Sequence, residues 1–124
     1  MAHGDEYLDR LAGTALFADL DRHELEAVAS LGTEVSVVEG QVLARQGDPA
    51  SEAFLVMSGT ASCVRDGEEV ATFGPGDFFG EMALLAHGDR TATITATSAM
   101  SVRAFHKSEF EQLLEGSPKV AVKV

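Results

Sequence analysis

The chain has 124 residues, 45% hydrophobic and 23% charged, which suits one domain over residues 1–124 with a real core and leaves little room for a second. Twenty acidic side chains against nine basic ones give a formal net charge of −11, a surface that repels phosphate backbones and anionic membranes, so neither nucleic acid nor membrane is expected as a partner. A single cysteine, Cys63, excludes an intrachain disulfide and an iron–sulfur cluster held by this chain alone. No apolar run approaches the roughly 18 residues of a spanning helix, and the first residues lack the apolar core of a signal peptide, so a cytoplasmic address is expected.

Residues 5–32 read as helical, residues 33–104 as short strands, and residues 107–124 as helical again. In the first zone Leu8, Leu11 and Ala12 share a face of a segment that ends at Gly13. Asp21 followed by Glu24 is a capping-box pattern, and Leu20 with Leu25 supplies the hydrophobic staple. Leu25, Val28 and Ala29 then line one helix face until Gly32 stops it.

The middle zone alternates glycine-marked turns with segments rich in Val, Phe and Thr: Thr33–Val38, Ala53–Met57, Thr60–Arg65, Val70–Phe73, Thr91–Ala96 and Met100–Phe105. Turns at this spacing, with no long helix between them, indicate an all-β sandwich or barrel. Asp66-Gly67 is the clearest hairpin signal, because a type I′ turn needs positive φ at both central residues. The third zone opens with Ser108 and Glu111 as a second capping-box pattern, and Phe110, Leu113 and Leu114 form the apolar face of a helix over 107–116. Gly116 suits its C′ position. After it, Pro118 fits the first turn of a further helix over 118–124, while the alternation Val120, Val122, Val124 fits a strand equally well.

One stretch carries chemistry. Phe78 and Phe79 end a strand, and Gly80 allows backbone to approach backbone or ligand closely. Met82 to Ala86 is a short helix-forming run whose first N–H groups lack intrahelical acceptors and can cradle an anion. Arg90 is the only Lys or Arg between Asp66 and Val102. A lone guanidinium beside free N–H groups suits one phosphate held by a charge-assisted fork. That is a site for a small anion and not for a polyanion.

The segment Phe79-Gly80-Glu81-Met82-Ala83-Leu84, followed by Asp89-Arg90-Thr91-Ala92, resembles the phosphate-binding cassette of the cyclic nucleotide-binding domain family, the type found in the catabolite activator protein and in protein kinase A regulatory subunits. The likeness extends upstream through Glu39-Gly40, Arg45-Gln46-Gly47-Asp48, Met57-Ser58-Gly59 and Gly74-Pro75-Gly76-Asp77. It covers most of the chain, and a long ordered match is far more specific than a lone glycine-rich string. The resemblance implies a mainly β fold, an eight-stranded antiparallel jelly-roll β-barrel with helices at both termini. It implies that Glu81 accepts a hydrogen bond from the ribose 2′-OH and that Arg90 pairs with the exocyclic phosphate oxygens. Backbone N–H groups of Gly80, Met82 and Ala83 would complete the cradle, and Thr91 would touch phosphate or purine. Cys63 and Val70 are expected as walls around the base. Cyclic AMP is the implied ligand, with cyclic GMP as the alternative, and a homodimer or a downstream effector domain is the implied partner. Two departures stand out: Asp89 replaces the proline that usually precedes the arginine, and the lid helix of the family is expected to be truncated or absent beyond Pro118.

Plainer readings apply to the same residues. Glu81 and Arg90 alone would fit a structural ion pair at a rim, and Met82, Leu84 and Leu85 read as core. Cys63 reads as a small buried hydrophobe, and Thr91 as a residue that favours strands. His3, His23, His87 and His106 are scattered, with no metal-binding pattern, which weighs against a cupin-type β-barrel enzyme. No nucleophile–base arrangement follows from spacing. The expectation is therefore a binding module that is not an enzyme and uses no metal or other cofactor; the alternatives are a cupin-type enzyme and a family member that acts only in protein contacts.

Overall fold

The computed structural model describes Gly13, residues 17–80 and residues 89–116. The expected helices around Leu8–Ala12, over Met82–Ala86 and over 118–124 lie outside the described residues. The first described helix, α1, spans Arg22–Ala29. Asp21 caps it as expected: its carboxylate accepts from the Glu24 N–H at 2.8 Å, and the Glu24 carboxylate accepts from the Asp21 N–H at 3.0 Å. Leu20 and Leu25 on either side of this cap are both buried, as a hydrophobic staple requires. At the far end Arg103 donates to the Ala29 and Leu31 carbonyls, which satisfies acceptors that a helix end leaves open.

The strands are β1 (Thr33–Val37), β2 (Val42–Ala44), β3 (Glu52–Ser58), β4 (Ala61–Arg65), β5 (Glu68–Phe73), β6 (Phe78–Phe79), β7 (Thr93–Ala96) and β8 (Met100–His106), followed by helix α2 (Lys107–Gly116). They form two four-stranded antiparallel sheets, ordered β1-β8-β3-β6 and β2-β7-β4-β5. The expected closed barrel is not found: among the described residues no ladder joins one sheet to the other. With only two residues in β6 and three in β2, these elements are too short to carry hydrogen bonding around a closed circumference.

Instead the sheets stack face to face, with the helices on the outer face of the first. β3 is therefore sandwiched. Ala53, Leu55 and Met57 pack with Phe17, Leu25, Val28, Phe105, Phe110 and Leu113 on the helical side. Phe54 and Val56 pack with Val37, Ala61, Cys63, Phe79, Ile94 and Val102 between the sheets. Burial on both faces explains why its sequence is a continuous apolar run without alternation. β6 splits in the same way: Phe78 stacks near Phe105 and Phe110, whereas Phe79 stacks on Phe54 and Phe73.

The Asp66-Gly67 turn has φ of 52° and 83°, the positive pair expected of a two-residue hairpin, and sets Arg65 opposite Glu68. The second capping box forms differently from the expectation. Because β8 runs directly into α2 at His106, Glu109 stands in the first turn ahead of Glu111. Its carboxylate accepts from the His106 N–H at 3.0 Å and from the Gly32 N–H at 2.8 Å. Phe110 and Leu113 are buried and Leu114 packs beside them, so the expected apolar face stands. No helix among the described residues is long and apolar enough to cross a membrane.

Candidate functional site

The described part of the cassette is organised by a short antiparallel pairing. The Arg90 N–H donates to the Asp48 carbonyl at 2.8 Å, the Gly47 N–H donates to the Arg90 carbonyl at 2.9 Å, and Asp89 bridges Pro49. The extended backbone alternates its side chains: Asp89 and Thr91 are exposed, while Arg90 and Ala92 are buried. Asp89, the departure from the family's proline, thus turns away from the site that Arg90 enters.

Arg90 is 9% exposed. Its Nη1 donates to the Gly80 carbonyl at 3.3 Å and its Nη2 to the Glu52 carbonyl at 2.5 Å. The guanidinium lies over the Phe54 ring, 5.9 Å from its centroid. Desolvation lowers its pKa, and the field of the Glu52 carboxylate opposes that shift; arginine nonetheless stays charged. Among the described residues it forms no ion pair. A guanidinium has five N–H donors, so the two carbonyls among the described residues engage only part of its fork, and burial of a cation favours a counter-charge. The arrangement suits an anion supplied from outside.

Gly80 makes that geometry accessible. Its φ is +90°, and a Cβ there would lie 2.5 Å from Arg90 Nη1 and 3.1 Å from the Glu52 carbonyl oxygen. Gly80, Arg90, Thr91, Cys63, Phe73 and Ile94 line one cavity of about 250 Å³ between the sheets. Cys63 is 8% exposed; burial raises its thiol pKa against a smaller opposing pull from Arg65, so it offers an apolar wall and no thiolate. Glu81, Met82 and Ala83 lie outside the described residues.

Val70 is a correction. It is 52% exposed and does not line the cavity. An unbulged hairpin counted from Arg65 and Glu68 would set Val70 opposite Cys63. A β-bulge lies between Cys63 and Val64, so that Val64 pairs with Glu69, Cys63 with Ala71 and Ala61 with Phe73. The extra residue is Val70, and the one-place shift brings Phe73 to the wall in its stead. Phe73 was missed in the sequence; an aromatic beside the Gly74-Pro75-Gly76 turn was the available signal. His23 belongs to α1 and His106 to the end of β8, and no group of metal-ligating side chains is assembled among the described residues.

Comparison with known proteins agrees with this geometry. The chain is 32% identical over 111 residues to a cyclic nucleotide-gated potassium channel of Mesorhizobium japonicum, covering 90% of this chain and 31% of the channel. It is 36% identical over 110 residues to the cAMP-dependent protein kinase regulatory subunit of Colletotrichum orbiculare, covering 87% and 28%. The chain thus spans about a third or less of the length of these curated relatives. The solved Thermus thermophilus catabolite activator protein superposes with a TM-score of 0.79 at 32% identity, over 86% of this chain and 52% of that one. Residues 34–117, which contain α2 and all of both sheets but Thr33, match the family described as the cyclic nucleotide-binding domain, and the chain belongs to that family.

Proposed function

We propose that this chain binds a cyclic nucleotide as a regulatory module without chemistry of its own, with cyclic AMP as the ligand and the cytoplasm as its location. One observation carries the reading: Arg90 is buried, charged and without an ion pair among the described residues, at the wall of a cavity that Gly80 also lines. In this reading Arg90 holds the exocyclic phosphate, Glu81 the ribose 2′-OH, and the N–H groups of Gly80, Met82 and Ala83 complete the cradle. Cys63 and Phe73 flank the base, with Thr91 at the mouth. Cyclic AMP is preferred because the kinase regulatory relative is named for dependence on that nucleotide.

Occupancy would act by population shift. Both residues of β6 line the cavity, and Phe78 also stacks on Phe110 of α2, centroids 5.7 Å apart. A ligand that displaces this two-residue strand therefore changes the seat of α2, and the effector that responds belongs to the same or another chain. Isothermal titration with cyclic AMP, cyclic GMP and the 2′-deoxy nucleotide tests the reading on the parent and on Arg90→Ala. The variant should lose about 2–5 kcal/mol of binding, the range for truncating one partner of a buried charge pair. Binding of cyclic AMP by Arg90→Ala within twofold of the parent would refute the phosphate role. Thr91→Ala should change the preference between the two bases by no more than roughly tenfold, the range of one neutral hydrogen bond.

A further inference from the structure

A carboxylate next to Arg90 would steady the guanidinium but would also neutralise the charge an anionic ligand needs. The field of the Glu52 carboxylate reaches Arg90, but among the described residues the group that lies against the guanidinium without pairing its charge is an aromatic ring. Phe73 and Phe79 stack with centroids 4.9 Å apart and planes 13° from parallel. Phe79 and Phe54 continue the column at 5.2 Å and 29°. Arg90 Cζ then lies 5.9 Å from the Phe54 centroid, at the outer limit of a cation–π contact. The rings come from β5, β6 and β3, so the column crosses from one sheet to the other and ends on the cation. Phe73 and Phe79 line the cavity, whereas Phe54 does not; it is 5% exposed and backed by Phe79.

We infer that Phe54 is a positioning residue for Arg90: its ring face supports the guanidinium from behind and leaves the charge of the fork available to an anion in the cavity. A ring holds a cation through its quadrupole without supplying a counter-charge, and a guanidinium, planar and weakly hydrated, suits such a seat better than an ammonium. Glu52 and Gly80 fix two of the donors through their carbonyls, and Phe54 fixes the plane. The backbone enforces the pairing, because Phe54 lies directly opposite Phe79 in the β3–β6 ladder, one residue before Gly80. The inference rests on the proposed role of Arg90 in holding phosphate.

The test compares Phe54→Leu and Phe54→Tyr with Val56→Ala, a core truncation two residues along the same strand in the same inter-sheet layer. Phe54→Met, closer in volume, replaces the leucine variant if that one does not fold. Phe54→Leu should weaken cyclic AMP binding about tenfold, or about 1.4 kcal/mol, and Phe54→Tyr should restore it to within about threefold, since a phenol keeps the ring face. Val56→Ala should lower the melting temperature without changing affinity, and Phe54→Leu should add nothing to Arg90→Ala. A loss shared equally by Val56→Ala, or unchanged binding in Phe54→Leu, overturns the inference. The Arg90 Nε–H signal in a nitrogen–proton NMR spectrum gives a ligand-free readout. Ring current should displace it in the parent, and it should move in Phe54→Leu. If the parent binds no cyclic nucleotide, the functional reading falls and this signal decides alone: its movement supports the seat on Phe54, and an unmoved signal overturns it.

Discussion

Adding one methyl group at Gly80 separates folding from binding. In Gly80→Ala the new Cβ meets Arg90 Nη1 at 2.5 Å and the Glu52 carbonyl oxygen at 3.1 Å, on a backbone whose φ is +90°. The carbonyl belongs to β3, where Glu52 pairs with His106 of β8, so the end of the flexible arginine side chain is what yields. Positive φ costs an L-residue about 1–2 kcal/mol, and losing the hydrogen bond to the Gly80 carbonyl costs about 1 kcal/mol more. A total of about 2–3 kcal/mol corresponds to a melting temperature lower by roughly 6–15 °C for a chain of this size. Displacement of the guanidinium removes a hydrogen bond to a charged group, about 1.5–3 kcal/mol, so affinity for cyclic AMP should fall roughly 10- to 150-fold. Calorimetric titration below the variant's melting transition reads the second effect and a thermal scan the first. In an Arg90→Ala background the clash is gone, and the stability cost of Gly80→Ala should shrink to the backbone strain. A folded Gly80→Ala variant that binds within twofold of the parent would refute the coupling of Gly80 to Arg90.

Two further outcomes follow from contacts already described. Val70→Ala should leave affinity unchanged and stability within about 0.5 kcal/mol, as for an ordinary surface site, whereas Phe73→Ala should weaken binding measurably; the reverse order in parallel titrations would restore Val70 as the wall. Hydrogen bonds from the His106 and Gly32 N–H groups lower the Glu109 pKa; a lowered folded value means its contribution is present above the ordinary carboxylate pKa and lost as pH falls through the folded one. Glu109→Gln should therefore cost about 1 kcal/mol at neutral pH, reduced by solvent screening at this half-buried group, and denaturant melts of parent and variant should converge on acidification; a constant gap down to pH 3 would sink the assignment.

Local chemistry made the capping box at Asp21, the hairpin at Asp66-Gly67 and the cassette around Arg90 legible, because each depends on residues a few positions apart. β3 was legible as an apolar run, although the run itself could not say that its two faces meet different layers. β2 escaped notice, since three residues are too few to show alternation. The misplaced cap at Ser108 and Glu111 reflects a junction: where a strand passes straight into a helix, the first turn is set by the strand's end and not by the best-looking capping pair. Val70 was lost to one inserted residue. A bulge changes which side chains share a face over the rest of the strand, and nothing in the residues Glu68 to Phe73 announces it. Arg90 was identified by its isolation among acids, but its seat on Phe54 depends on partners 36 positions apart in the chain, beyond the reach of any local pattern.

The order β1-β8-β3-β6 also governs how the polypeptide acquires its structure as it leaves the ribosome. The central position beside β3 is filled by β8, which emerges more than 40 residues later, and among the described residues β1 has no neighbour in the sheet except β8. At about 5–20 residues per second, β3 waits several seconds with the edge that β8 will cover open and without the Phe105, Phe110, Ile94 and Val102 side chains that complete its two faces. Pairings this distant in sequence are slow to close, so the apolar run Ala53–Met57 stays open to other chains along that edge during the interval. Sheet completion is therefore a late event, and any chain interrupted before β8 leaves β1 and β3 without the strand that joins them.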